Sequence, residues 1–263
     1  MTKTPRRHMV VSAAALAALV LGIVACESDP AQGRQSAPVT DPTVPVDTHG
    51  TTPVPSSAPA VTDPALDGDL FAAVAADDGQ RVRELLTRGA DIEARGEHDR
   101  TPLVAATKTR ATAAAQALIA AGADVNAKDD LQDSAYLYAG AEGIDDILEL
   151  TLTHGADIRS VNRYGGTALI PASEHGHLTT VRRLIEAGVD VDHINTPKWT
   201  ALHEAIVYGD GSQRYQQVVS ALLAAGADPS IRDGAGRTAL DNAQRRGQSA
   251  IVTILRNQNR GQR

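Results

Sequence analysis

Catalysis and metal binding need histidines, cysteines or carboxylates close together, and four histidines of this 263-residue chain invite the test: His175, His177, His193 and His203, the last beside Glu204. His203-Glu204 could open a zinc-binding HExxH helix, but the position that must hold the second histidine is Val207, which cannot ligate a metal. The chain has one cysteine, Cys26, so neither a thiolate metal cluster nor an internal redox pair can form. No GxSxG elbow, phosphate loop or dinucleotide fingerprint occurs. The residues therefore point to a protein without catalytic site, metal or cofactor.

Cys26 has a chemistry of its own. Residues 1–25 read as a signal peptide, with Lys3, Arg6 and Arg7 ahead of an apolar run of 17 residues from Met9 to Ala25, broken only by Ser12 and Gly22. A run of that length is at the short end of what spans a bilayer. Its end, Ile23-Val24-Ala25-Cys26, resembles the lipobox of bacterial lipoproteins. That resemblance implies cleavage before Cys26, acylation of Cys26 with chains such as palmitate, and a cell-membrane anchor facing the extracytoplasmic side. Pro5 stands where a twin-arginine motif has Ser or Thr, which leaves the export route open between that system and the general one.

Residues 26–65 follow as a Pro/Thr/Ser-rich linker, with eight prolines between Glu27 and Ala65. At about 3.1 Å per residue in polyproline II geometry it would reach roughly 120 Å. The body, 66–258, is rich in Ala, Leu, Val and Ile, and aromatic residues make up only 3% of the chain, which favours close helix-on-helix packing. The formal charge is −7, and setting aside the three leader cations leaves −10 on the remainder. An acidic body argues against nucleic acid as a partner.

Two series of residues run through the body in one phase. Gly89, Gly122, Gly155, Gly188 and Gly226, each followed by Ala or Val and then Asp, are spaced 33, 33, 33 and 38. Thr101, Ser134, Thr167, Thr200 and Thr238, each opening a helix-starting triplet, repeat the same spacings. A fixed period of this size means a repeat array. Thr or Ser is a good helix N-cap, Pro102 fits a first helical turn, and glycine is the natural residue after a helix, where the backbone turns left-handed. The pairs Leu85-Leu86, Leu118-Ile119, Leu184-Ile185 and Leu222-Leu223, with Ala73, Ala106, Ala139, Ala172, Ala205 and Ala243, are expected to form a continuous seam between helices.

Thr101-Pro102-Leu103, Thr167-Ala168-Leu169, Thr200-Ala201-Leu202-His203 and the Gly-Ala-Asp exits resemble the ankyrin repeat. The resemblance implies an all-α solenoid of about six units, the first degenerate from Leu66 to Arg95 and the last truncated near Asn257, followed by a basic tail at 259–263. It also assigns His203 to local hydrogen bonds and Gly176-His177 to an inter-helix turn. The unit opening at Ser134 departs most, with Tyr136 for leucine and Thr151 in the apolar pair. The spacing of 38 places five extra residues near Gly211 to Tyr215, expected as a loop between two helices.

The family binds proteins on the face made by turn tips and first helices. On that face the resemblance places Tyr138, Arg163, Tyr164, Lys198, Trp199, Glu204 and Tyr208 as partner-binding residues. Four of the chain's seven aromatics would sit there, beside Arg163 and Lys198, the residue types that anchor interfaces. The expected function is a monomeric, membrane-anchored binding module or scaffold for another protein. The alternative is an inhibitor or protective partner of one secreted enzyme, while a small ligand would need a deeper pocket than stacked repeats provide.

Overall fold

The computed structural model describes residues 64–261, while the leader 1–25, Cys26, the spacer up to residue 63 and the last two residues lie outside them. Twelve α-helices fill this region in six pairs: α1 (Pro64–Ala75) with α2 (Gly79–Thr87), α3 (Pro102–Lys108) with α4 (Thr112–Ala120), α5 (Ala135–Glu142) with α6 (Asp145–Thr153), α7 (Leu169–Glu174) with α8 (Leu178–Glu186), α9 (Ala201–Val207) with α10 (Gln213–Ala224), and α11 (Ala239–Arg245) with α12 (Ser249–Gly261). Among the described residues there is no strand, and no helix is long and apolar enough to cross a membrane.

The two sequence series set these boundaries by local chemistry. The side chains of Thr101, Ser134, Thr200 and Thr238 accept hydrogen bonds from the backbone N–H three residues on, giving α3, α5, α9 and α11 their N-caps. Thr167 differs: its buried hydroxyl has no partner, and the Ile170 N–H donates instead to the Thr167 carbonyl. At the far end, Gly89, Gly122, Gly155, Gly188 and Gly226 all take φ between +85° and +99°. After α2, α4, α8 and α10 the glycine and the next residue donate back into the last turn, as Ala90 N–H does to the Leu85 carbonyl, which is the Schellman geometry. The unit opening at Ser134 makes only half of it, with Ala156 N–H to Thr151.

Each first helix packs on the next first helix and each second helix on the next second helix, so the pairs stack as two layers. The seam expected from the sequence lies between them. Leu85, Leu118, Leu184 and Leu222 are fully buried, as are Ala106, Ala139, Ala172, Ala205 and Ala243. Thr151, set in an otherwise apolar position, is buried with its hydroxyl donating to the Leu148 carbonyl. Tyr136 fills the leucine position and is fully buried, and its desolvated hydroxyl has no partner.

Three boundaries differ from the sequence expectation. Helix α1 starts at Pro64 rather than after residue 65, because proline suits a first helical turn where no backbone donor is needed. Helix α12 continues to Gly261, into the stretch expected as a tail. The five extra residues are not all loop: two lengthen the connection after α9, and three lengthen α10, which has 12 residues against nine in α8. Tyr215, expected in that loop, is buried on α10 and donates its hydroxyl to the Glu174 carbonyl at 2.9 Å.

Candidate partner-binding face

The face opposite the second helices is built from turns that repeat one hydrogen-bond scheme around an Asp or Asn. Asp129 Oδ1 accepts from the N–H of Leu131 and Asp133, Asn162 Oδ1 from Tyr164 and Gly166, Asn195 Oδ1 from Trp199, and Asp233 Oδ1 from Ala235 and Arg237. In each, the Asp or Asn N–H also donates to the carbonyl four residues on. The side chain thus replaces a strand partner and holds the turn as a rigid tip. These four residues are spaced 33, 33 and 38, a third series in phase with the other two that the sequence reading missed.

The fourth residue of each turn is left-handed: Gln132 at φ 62°, Gly165 at 70°, Lys198 at 69° and Gly236 at 75°. Only glycine takes this region without steric cost. Lys198→Gly is therefore expected to raise stability by about 0.5 to 1 kcal/mol, seen as a higher thermal midpoint. A fall would show that the lysine stem contributes more packing than its backbone costs.

The residues expected at the partner interface fall into three groups, and among the described residues no ring contact joins one group to another. Tyr138 is half-buried on α5 under Lys108, whose Nζ sits 4.3 Å from the ring centre and 2.7 Å from Asp133. Arg163 lies over the ring of Tyr164 at 4.8 Å, and Tyr164 is 55% exposed on its turn tip. Trp199 meets Tyr208 edge-on, 5.5 Å between centres, with Tyr208 57% exposed just past α9 and Lys198 exposed beside it. Glu204 is the exception, only 5% exposed, with its Oε1 accepting from Asn195 Nδ2 at 3.0 Å.

Exposure of large apolar side chains follows the same geography. The four in question are Leu131, Tyr164, Ile194 and Tyr208, and each lies on a turn or at a first-helix end. Leu131, 41% exposed, occupies in its turn the place that Tyr164 takes in the next; Ile194, 45% exposed, precedes Asn195. The sequence reading passed over both, although their position relative to Asp129 and Asn195 would have marked them.

Burial lifts the Glu204 carboxyl to about 7, with the like charge of Glu174 adding to the rise and the Asn195 hydrogen bond opposing it. Burial also raises the Tyr208 phenol, and the charges of Glu204 and Glu174 add to that. The histidines have local roles. His203 Nδ1 accepts from the Thr200 N–H at 3.3 Å in a capping box, and burial holds the ring below the ordinary histidine range. His193 Nε2 bonds the Gly165 carbonyl at 2.7 Å, His175 Nδ1 the Ala141 carbonyl at 2.9 Å, and His177 meets His175 edge-on. Among the described residues no group of three His, Cys, Asp or Glu side chains could hold a metal ion.

Comparison with known proteins agrees with this architecture. The family model for ankyrin repeats in three copies matches residues 136–233, and the single ankyrin repeat model matches 98–130. The chain is similar to the crystal structure of an ankyrin repeat domain from Acinetobacter baumannii AYE, at 53% identity and a TM-score of 0.70, over 72% of this chain and 97% of that one. A second ankyrin repeat protein matches at 42% identity and a TM-score of 0.69, over 72% and 96% of the two chains. The ankyrin repeat domain of Bcl-3, described as a unique member of the IkappaB protein family, matches at 29% identity and a TM-score of 0.64, over 71% and 81%. Among curated proteins none matches.

Proposed function

Because the chain belongs to the ankyrin-repeat family, we propose that it is a protein-binding module that captures a partner protein on its turn tips and first helices, held outside the cytoplasmic membrane by an acylated Cys26. The observation that carries this reading is that the large apolar side chains exposed among the described residues, Leu131, Tyr164, Ile194 and Tyr208, gather on that face. Side chains of this kind on rigid tips bury much area while freezing few rotors. The anchor rests on the lipobox-like Ile23-Val24-Ala25-Cys26 and the proline-rich stretch behind it, which would carry the domain clear of the bilayer.

The binding arm and the anchor are tested separately. Replacing Tyr164 and Trp199 together by alanine should weaken partner capture by more than about tenfold, the loss of one interface anchor, with helical content unchanged by circular dichroism. Cys26→Ala should release the chain from the membrane fraction without altering capture. Equal capture by the double variant would remove the face from the account, and membrane retention of the Cys26 variant would remove the anchor.

A further inference from the structure

The inference rests on the binding role proposed above and names the chemistry of one contact. We propose that the groove between α1 and α3, at the first turn of the binding face, receives an apolar side chain of the bound protein that has a lysine or arginine beside it. The groove encloses about 400 Å³ and is lined by Phe71 and Ala75 of α1, Ala105 of α3, and Gly96, Glu97 and Arg100 of the turn between the two helix pairs.

Two departures from the repeat open this groove. Gly96 stands 33 residues before Asp129, at the place where the later turns hold their Asp or Asn acceptor. The backbone bridge survives, with the Gly96 N–H donating to the Arg100 carbonyl at 2.9 Å, but no side chain fills the turn. Phe71 takes that space: a Cβ at residue 96 would stand 2.8 Å from its ring, so only glycine fits. In the next three units Val104, Leu137 and Ile170 hold the place of Phe71 and are buried, whereas Phe71, the chain's one phenylalanine, is only half-buried. The second departure is size. Ala75 and Ala105 hold the places that Lys108 and Tyr138 take one unit later, where Lys108 Nζ lies over the Tyr138 ring at 4.3 Å. Alanine at both leaves the corresponding space open.

The charges around the groove select what stands beside that apolar side chain. Arg100 is turned inward, its Nε buried and 3.7 Å from the buried carboxylate of Asp129. Arg95 Nη1 donates to the carbonyls of Asp99 and Lys128 at 2.8 Å and meets the Asp99 carboxylate at 3.7 Å. The acids facing solvent are Glu97, with 86% of its side chain exposed, and Asp130 on the next tip, whose N–H donates to the His98 carbonyl; the His98 ring lies 3.5 Å from each carboxylate. An apolar groove under an acidic, solvent-facing rim complements an apolar side chain flanked by a cation. The groove is also continuous with the face already described, because the Asp129 that faces Arg100 meets Lys108 at 3.2 Å, and Lys108 lies over Tyr138.

The probe is the capped peptide acetyl-Gly-Lys-Leu-Lys-Gly-amide, titrated into the isotope-labelled full chain at fixed pH and ionic strength, with the NMR shifts of the Gly96 and Thr109 amides, both at the groove, as reporters. Its affinity should be at least about tenfold above that of two control peptides, one with serine for the leucine and one with glutamate for both lysines. Ala75→Trp, at an exposed position in the groove, should lower that affinity by about tenfold or more, and Glu97→Gln by about threefold, the effect of one exposed charge. Asp146→Asn, an exposed acid on α6, should leave it unchanged. No shift up to about 10 mM, equal affinity for either control peptide, or full affinity in Ala75→Trp or Glu97→Gln would each overturn the proposal. If Ala75→Trp loses helical content by circular dichroism, Glu97→Gln and the control peptides decide alone. Removal of residues 27–63 that shifts the same amides as the peptide does would make the chain's own spacer the occupant, and shifts that follow protein concentration alone would make it a second copy; either overturns the proposal. Capture that still depends on Tyr164 and Trp199 when the peptide fails would leave the binding role standing and remove only this groove.

Discussion

At pH 8 the Glu204→Gln chain should melt about 5 °C above the wild type, and near pH 4.5 the two should melt together. The wild-type carboxyl is raised in the folded state from 4.5 to about 7, first by burial and then by the like charge of Glu174 from α7. The Asn195 amide pulls the other way. A group raised in this sense contributes its full stability below its unfolded value and loses it as pH climbs through the folded one. The window is therefore about 4.5 to 7, and a shift of that size is worth about 2 to 3 kcal/mol at its upper bound. Glutamine keeps the oxygen that accepts from Asn195 and never ionises, so its advantage should open across that window and level off above it. A constant gap at all pH values would mean that Glu204 ionises without penalty.

The second large effect concerns the turns. Asp233→Ala should destabilise the chain by about 3 kcal/mol, because it strands the backbone N–H of Ala235 and Arg237, the Arg237 Nε and the Asn242 Nδ2 around a buried site. Burial alone would raise the Asp233 carboxyl, but the hydrogen bonds from Asn242, Arg237 and Ala235 outweigh it and hold it at about 2. Asp233→Asn should cost far less, since Asn162 and Asn195 fill the same place in neighbouring turns with the same Oδ1 acceptor role. Chemical denaturation separates the two: equal losses for alanine and asparagine would show that the charge, not the turn acceptor, carries the effect.

What was legible in the sequence is what local backbone chemistry dictates. A Thr that caps a helix and a glycine that must turn left-handed act within a few residues, so their spacing yielded the six helix pairs and their phase. Two series were read and a third, Asp129, Asn162, Asn195 and Asp233, was not, because Asp and Asn recur throughout an acidic chain and only the structure shows which ones accept from their own turn. The insertion was located by spacing, yet its distribution between loop and helix depended on Tyr215 finding the Glu174 carbonyl, 41 residues back. Glu204 shows the limit most clearly. Its residue type and place on a first helix suggested a contact residue, whereas its burial is set by Asn195 on one side and α7 on the other, neither of which any spacing discloses. Leu131 and Ile194 were legible in principle, since an apolar residue on a turn tip has nowhere inside to go.

The central claim is that a protein partner is held by the turn-and-first-helix face. The most direct test cross-links the full chain to its partner on intact cells and compares three forms: wild type, the Tyr164→Ala and Trp199→Ala double variant, and a control with Arg182→Ala and Ser220→Ala on the second-helix layer, which lines a groove of about 550 Å³ there. Mass spectrometry of the recovered complexes should find the same protein with wild type and control and lose it with the double variant. Loss in the control with retention in the double variant would place the partner on the second-helix layer and contradict the account.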